Sequence, residues 1–164
     1  MSIARSVRAD LFISLHADAL EEDEARGASV YTLAPDGADR AAQQMVERHE
    51  RGDLLSGVDL NEQGDRVATV LMDLARSETG PMGALFAEKL VATMAARGVT
   101  LNSRPRREGL FAVLSAADFP SVLLEAGFLS NAEDRSVLAD PAGRARIADA
   151  IVEAVVLFAA EIAR

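Results

Sequence analysis

The sequence predicts an α/β protein, built as a three-layer α/β/α sandwich around a mainly parallel or mixed sheet. Two observations lead to this prediction. Short apolar runs typical of buried strands alternate with longer stretches of helical periodicity. Apolar residues also make up 49% of the 164 positions, which is enough to build a core. We therefore expect a single domain over residues 1–164, since this length is that of one ordinary domain.

Four short runs are expected to form strands, because each is rich in large apolar side chains. The predicted strands are Asp10–His16, Ala28–Leu33, Leu110–Leu114 and Ser121–Glu125. No strand is predicted between residues 34 and 109. That stretch is expected to hold helices, followed by a loop with the basic run Arg104–Arg107.

Helices are expected between and after these strands. Three of them should cover residues 38–56, 62–78 and 82–98. Gly80-Pro81 is expected to separate the second from the third, because proline interrupts helical hydrogen bonding. After the last strand, the capping-box spacing at 130–133 should open a short helix, and Asp140 followed by Pro141 should open the final one.

Charge and composition exclude several classes of function. The chain carries 26 acidic and 17 basic residues, a net charge of -9, which argues against nucleic-acid binding. The absence of cysteine excludes disulfides, thiolate zinc sites and cysteine nucleophiles. The apolar runs fall short of the roughly 18 residues that a membrane-spanning helix needs. The first residues have no apolar segment typical of an export signal.

His16 is the first candidate for chemistry, and one of only two histidines. It ends an apolar strand, and ligands bind at that edge of open α/β sheets. A neutral imidazole at this place is a suitable zinc ligand. The alternative is a histidine that only makes a hydrogen bond at a strand end.

Glu125 is the second candidate, because it ends the apolar strand that begins at Ser121. A carboxylate is rarely buried without a partner, so its position needs an explanation. Facing a metal-bound water, it would be a suitable general base. The alternative is a glutamate that caps a loop or pairs with an arginine.

His49 is the third candidate. On a predicted helix it shares a face with Asp53, one turn away, so a two-ligand site is possible. The pattern lacks the HExxH arrangement. An exposed histidine among charged neighbours is the preferred interpretation.

Five blocks closely resemble, in the same order, segments of the zinc-dependent N-acetylmuramoyl-L-alanine amidases that remodel bacterial cell walls. They are Ala9–Asp18, Gly27–Leu33, Leu71–Thr79, Leu110–Leu114 and Phe119–Asn131. The last contains the distinctive run Glu-Ala-Gly-Phe-Leu-Ser-Asn at 125–131. The resemblance covers nearly the whole chain.

The resemblance implies a function and a site. The family cleaves the amide between N-acetylmuramic acid and L-alanine, with zinc held by two His and one Glu and a further Glu activating water. By motif, His16 would be the second zinc His and Glu125 the catalytic Glu. The strand and helix that supply the first His and the zinc Glu have no match here. The chain is therefore expected to be the C-terminal part of an amidase domain, with two of three protein ligands absent.

The helical stretch at about 38–79 resembles an insertion found in division amidases, where a helix covers the zinc site until an activator protein displaces it. Glu47, His49 or Glu50 would then block the metal. The expected partners are thus peptidoglycan and an activator protein that displaces a helix at 38–60, with no nucleic acid. The parent protein is expected in the periplasm or outside the cell.

Two other functions remain open at this point. The chain could be a catalytically inactive amidase-like domain that binds peptidoglycan or an activator protein. It could also be another zinc exopeptidase on a similar scaffold, such as a carboxypeptidase, although the Phe-Leu-Ser-Asn run at 128–131 argues against this through the resemblance.

Overall fold

The computed structural model describes residues 2–19, 25–34, 65–109 and 111–163. In chain order the elements are helix α1 (Ser2–Ser6), strand β1 (Phe12–His16), strand β2 (Ala28–Leu33), helix α2 (Asp65–Ala96), strand β3 (Leu101–Gly109), a 3₁₀ turn (Ala112–Leu114), strand β4 (Ser121–Glu125), helix α3 (Ala132–Ala139) and helix α4 (Pro141–Ile162). The predicted helix at 38–56, with His49 and Asp53, lies outside the described residues.

The four strands form one mixed sheet in the order β1-β4-β2-β3. Strands β2 and β4 are antiparallel, with Ser29 opposite Glu125. Strands β1 and β4 run in the same direction, because the Phe12 N–H donates to the Pro120 carbonyl at their starts and the Ala126 N–H donates to the His16 carbonyl at their ends. The predicted α/β class with a mixed sheet is confirmed.

The described contacts divide the chain into two compact units. Unit 1 comprises Met1–Ile13, Thr32–Gly83 and Glu108–Val122, and unit 2 comprises Ser14–Tyr31, Ala84–Arg107 and Leu123–Arg164. The candidates His16 and Glu125 both belong to unit 2. Their surroundings can therefore be described within that one unit.

Unit 1 contains an aromatic contact and a largely buried ion pair. The rings of Phe12 and Phe119 lie 6.0 Å apart, centroid to centroid. The Arg5 Nε donates to the Asp118 carboxylate at 2.9 Å, and both side chains are largely buried. A pair this sheltered is screened less by solvent than a surface pair.

Unit 2 has an apolar core between the second half of α2 and helix α4. Phe86 and Phe158 are buried and meet edge to face at 5.5 Å. Leu90 and Met94 are fully buried on the same helix. The Thr93 hydroxyl, also buried, donates to the Ala150 carbonyl at 2.9 Å. Burial of each of these Phe, Leu and Met side chains contributes roughly 1.5–3 kcal/mol to the free energy of folding.

Helix α2 runs without interruption through Gly80 and Pro81, so the predicted break there is wrong. Proline removes one helical hydrogen bond, which favours a break when local sequence alone decides. Contacts on both sides of Pro81 oppose it. The Thr79 hydroxyl donates to the Ala117 carbonyl at 3.2 Å, and Phe86 is buried one turn further along. No described helix has the length and apolarity to cross a bilayer.

Strand β3 lies where the sequence predicted a loop, and the predicted strand Leu110–Leu114 is wrong because Ala112–Leu114 form a 3₁₀ turn. Strand β3 stands at one end of the strand order and is mostly exposed. Arginines and Pro105 fit such an edge, because one side of the strand needs no ladder hydrogen bonds. A stretch of charge and proline therefore concealed a strand.

The two helices after β4 begin as predicted, with one change of cap. Asn131, rather than Ser130, is the N-cap of α3, and its side chain accepts the N–H groups of Glu133 and Asp134. Asp140 caps α4 with Pro141 at the first helical position. Each cap accepts N–H groups that have no partner within the first turn of its helix.

Candidate active site

His16 and Glu125 lie side by side because they end two neighbouring strands that run in the same direction. The Ala126 N–H donates to the His16 carbonyl at 2.9 Å, which places the two strand ends together. Parallel neighbours end at the same edge of a sheet, where ligands bind in α/β proteins. Together with Asp18, which follows β1, they are called the strand-end site below.

Glu125 is buried, with 3% of its surface exposed. Its Oε1 accepts the backbone N–H of Asp18 at 2.8 Å. Burial raises the pKa of Glu125 above its usual 4.5, and the negative charge of Asp18 acts in the same direction. The Asp18 N–H and the nearby His16 lower this pKa but do not reverse the shift. Glu125 therefore holds a proton more readily than an ordinary glutamate.

The His16 ring has a polar neighbour near each of its two nitrogens and stays accessible to solvent. Its Nε2 lies 2.9 Å from the Ser14 hydroxyl, and its Nδ1 lies 3.7 Å from the Asp18 carboxylate. About a third of the side chain is exposed (35%). An imidazole fixed in orientation yet open to solvent suits binding of a ligand or a metal.

Ser29 is a polar neighbour of Glu125 that the sequence analysis missed. It stands directly opposite Glu125 in the ladder between β2 and β4, so the two side chains share a face. Ser29 is fully buried, and its hydroxyl makes no hydrogen bond within the described structure. A serine inside the apolar run Ala28–Leu33 was the available signal.

Asp134 is a second missed residue. It is buried, and its Oδ2 accepts the backbone N–H groups of Gly27 at 2.8 Å and Phe128 at 2.9 Å. The capping-box pattern drew attention to Glu133, which instead makes an exposed ion pair with Arg26. An acidic residue in the first turn of a predicted helix was the only sequence signal for Asp134.

The described residues include one histidine and nearby carboxylates of the types that bind zinc. Catalytic zinc takes three protein ligands and an open position. His16 and a neighbouring carboxylate are donors of the right type, but no group of three or more His, Asp or Glu suited to a metal occurs among the described residues. The geometry fits one protein ligand, His16, beside a buried carboxylate that faces the same strand edge.

The strand-end site is suited to proton transfer. A buried carboxyl with a raised pKa accepts a proton, and can return it, at a higher pH than an exposed glutamate does. The Asp18 N–H fixes one of its oxygens, so the carboxyl has a defined orientation. Burial, a raised pKa and a fixed orientation occur together in many general bases, and Glu125 combines all three.

Three comparisons with known proteins agree with this description. The Amidase_3 family, described as N-acetylmuramoyl-L-alanine amidase, matches residues 1–156. The N-acetylmuramoyl-L-alanine amidase AmiA of Escherichia coli K12 is 34% identical over 163 residues, covering 96% of this chain and 55% of AmiA. The chain thus spans about half the length of this curated relative.

Solved structures also match. The crystal structure of the N-acetylmuramyl-L-alanine amidase Ami1 from Mycobacterium smegmatis superimposes with a TM-score of 0.64 and 25% identity, over 96% of this chain and 57% of Ami1. The CwlD amidase of Clostridioides difficile, solved in complex with the GerS lipoprotein, gives a TM-score of 0.56 at 19% identity, over 97% of this chain and 59% of CwlD. Because the family matches residues 1–156, nearly all of this chain, the chain belongs to the N-acetylmuramoyl-L-alanine amidases, a family of hydrolases.

Proposed function

We propose that this chain is the part of an N-acetylmuramoyl-L-alanine amidase that supplies the general base. The bond hydrolysed is the amide between N-acetylmuramic acid and L-alanine in peptidoglycan. One observation supports this above the others. A buried glutamate with a raised pKa lies at the shared end of two strands, beside an accessible histidine.

Glu125 performs the proton transfers in this proposal. Its carboxylate takes a proton from the attacking water while the water oxygen bonds to the amide carbon. The carboxyl then gives that proton to the amide nitrogen as the C–N bond breaks. The products are a free lactyl carboxyl group and the amino group of L-alanine. A raised pKa suits both steps, since the same group must accept and donate near neutral pH.

Zinc dependence is part of the proposal, with His16 as one ligand. When bound, zinc would polarise the amide carbonyl and make water easier to deprotonate. The accessibility of His16 supports the role, since about a third of its side chain (35%) is exposed at the strand-end site. The other protein ligands are not among the described residues.

The experiment uses this chain completed with the strand and helix that supply the first zinc His and the zinc Glu in the family, together with purified peptidoglycan and product analysis. New L-alanine amino termini and intact glycan strands are expected, and activity should fall on chelation and return with Zn²⁺. His16→Ala should abolish the zinc response, while the control Glu133→Gln, on an exposed ion pair, should leave it unchanged. Cleavage of a sugar linkage or of a peptide bond within the stem would contradict the proposed reaction.

We also propose that the substrate is met in the periplasm or outside the cell, and that an activator protein regulates access. In this proposal a helix within residues 38–60 covers the strand-end site until the activator displaces it. The complex of CwlD with the GerS lipoprotein supports the idea that an amidase of this fold can have a protein partner.

Removal of residues 38–60 from the chain completed with the missing zinc ligands tests the regulatory part. If the segment blocks the site, its deletion should raise basal amidase activity several-fold and abolish any response to an activator. The undeleted chain measured under the same conditions is the control. Equal basal activity of the two chains would show that the segment does not inhibit.

A further inference from the structure

We propose that Asp134 is a positioning residue for Glu125, acting through backbone hydrogen bonds that join helix α3 to the strand-end site. The functional meaning rests on the proposed role of Glu125 as the base. The structural part stands on contacts alone and can be tested without an activity assay.

Asp134 joins the segments that flank β4 and its neighbour β2. Its Oδ2 accepts the N–H of Gly27, just before β2, and the N–H of Phe128, three residues after Glu125. Both bonds are 2.8–2.9 Å long and lie in the buried interior. One carboxylate oxygen thus fixes the chain before one strand and after the other.

The second bonded segment leads directly to Glu125. Leu129, next to Phe128, donates its N–H to the Asp18 carbonyl at 2.7 Å. The N–H of the same Asp18 donates to the Glu125 Oε1 at 2.8 Å. Three hydrogen bonds of 2.7–2.9 Å therefore connect Asp134 to Glu125. The first two are joined by the peptide bond between Phe128 and Leu129, and the last two share Asp18. A displacement of Phe128 would move the N–H that orients the base.

A charged acceptor is well suited to this place. Bonds from N–H groups to a carboxylate are stronger than bonds between neutral groups. Asp134 also lies in the first turn of α3, where the free N–H groups favour negative charge. These interactions offset the cost of burying a carboxylate that makes no described ion pair.

The loop after Glu125 packs closely against Asp134 and leaves little space for a side chain at Gly127. Gly127 has a φ of +153°, and a Cβ there would lie 3.2 Å from the Asp134 side chain. Glycine is therefore required by backbone conformation as well as by space. The loop that leaves Glu125 lies directly against the group that holds it.

Amide hydrogen exchange, measured by NMR on the 164-residue chain, tests the inference. In Asp134→Ala, exchange at the Asp18 and Leu129 amides should rise about tenfold relative to the amide of Ile147 in helix α4, since a charged acceptor is lost. Asp134→Asn keeps one oxygen that can accept both bonds and should stay within about threefold of the wild type. Asp134→Ser, too short to reach both donors, replaces the alanine variant if that variant does not fold.

Thr93→Ala is the matched control, because it removes a buried hydrogen bond to Ala150, remote from the strand-end site. Thr93→Ala should increase the exchange rate of all amides that exchange by global unfolding. It should leave unchanged the ratio of exchange at the Asp18 and Leu129 amides to exchange at the reference amide. If the variants of Asp134 change the ratio no more than Thr93→Ala does, Asp134 has only a general structural role and the inference is wrong. Absence of amidase activity in the chain completed with the missing zinc ligands would contradict the proposed function instead, and leave this result unaffected.

Discussion

Strands β4 and β3 belong to the same sheet, but the charged residue of β4 is buried whereas those of β3 are exposed to solvent. Four of the five residues of β4 are buried, and the strand ends in Glu125. Strand β3 has no buried residue, and its arginines face solvent at the sheet edge. A charge on β3 costs almost nothing because water surrounds it, whereas the carboxyl on β4 has a raised pKa because burial penalises its ionised form. The proposed function assigns the proton transfers to the charged group that burial destabilises, Glu125.

Leu124→Ala should produce the largest loss of stability in this comparison. Leu124 is fully buried in β4, so its truncation leaves a cavity as well as removing apolar contact. We expect a loss of roughly 2–5 kcal/mol in the free energy of unfolding. Chemical denaturation measures it, and a loss under about 1 kcal/mol would show that β4 is not part of a packed core.

Glu125→Gln should change the pH dependence of stability. The pKa of Glu125 is raised on folding, so the folded state binds this proton more tightly than the unfolded state. The stability that Glu125 contributes is therefore fully present below about pH 4.5 and is lost as pH rises through the higher folded value. The glutamine still accepts the Asp18 N–H but carries no charge.

Denaturation of both proteins over a pH series measures this difference. The wild type should lose stability relative to Glu125→Gln as the pH rises through that window, and the variant should be at least as stable at neutral pH. A wild type that gains stability relative to the variant over the same range would mean that Glu125 is stabilised as an anion.

Arg104→Ala on β3 should have the smallest effect. The side chain is exposed at the sheet edge, and surface substitutions of this kind usually stay within about 0.5 kcal/mol. The denaturation midpoint should match the wild type. A loss above about 1 kcal/mol would show that the arginines of β3 make contacts essential to the sheet.

The same contrast explains what the sequence could predict. Strand β4 follows from its apolar run, because a buried strand must be apolar whatever surrounds it. Strand β3 and the unbroken helix through Pro81 could not be predicted, since ladder and tertiary contacts overcome local signals that favour a loop or a break. Local pattern is decisive only where burial requires it.

The candidate site divides in a similar way. His16 and Glu125 are conspicuous because a polar residue ends an apolar run, and their adjacency follows from the parallel strands. Ser29 and Asp134 were missed because their importance depends on which residues the fold brings opposite them. The prediction for His49 and the 38–60 segment stays a prediction, outside the described residues.

The most direct test of the central claim uses this chain completed with the family's first zinc His and zinc Glu, and compares its peptidoglycan hydrolysis at saturating Zn²⁺ with that of the same protein carrying Glu125→Gln. We expect kcat to fall by about 10²–10⁴-fold, the usual contribution of a general base, with KM and the thermal midpoint little changed. Leu124→Ala should show the reverse, with stability lost and the activity of the folded fraction largely kept. A Glu125→Gln variant that retains wild-type kcat would show that the buried carboxyl is not the base.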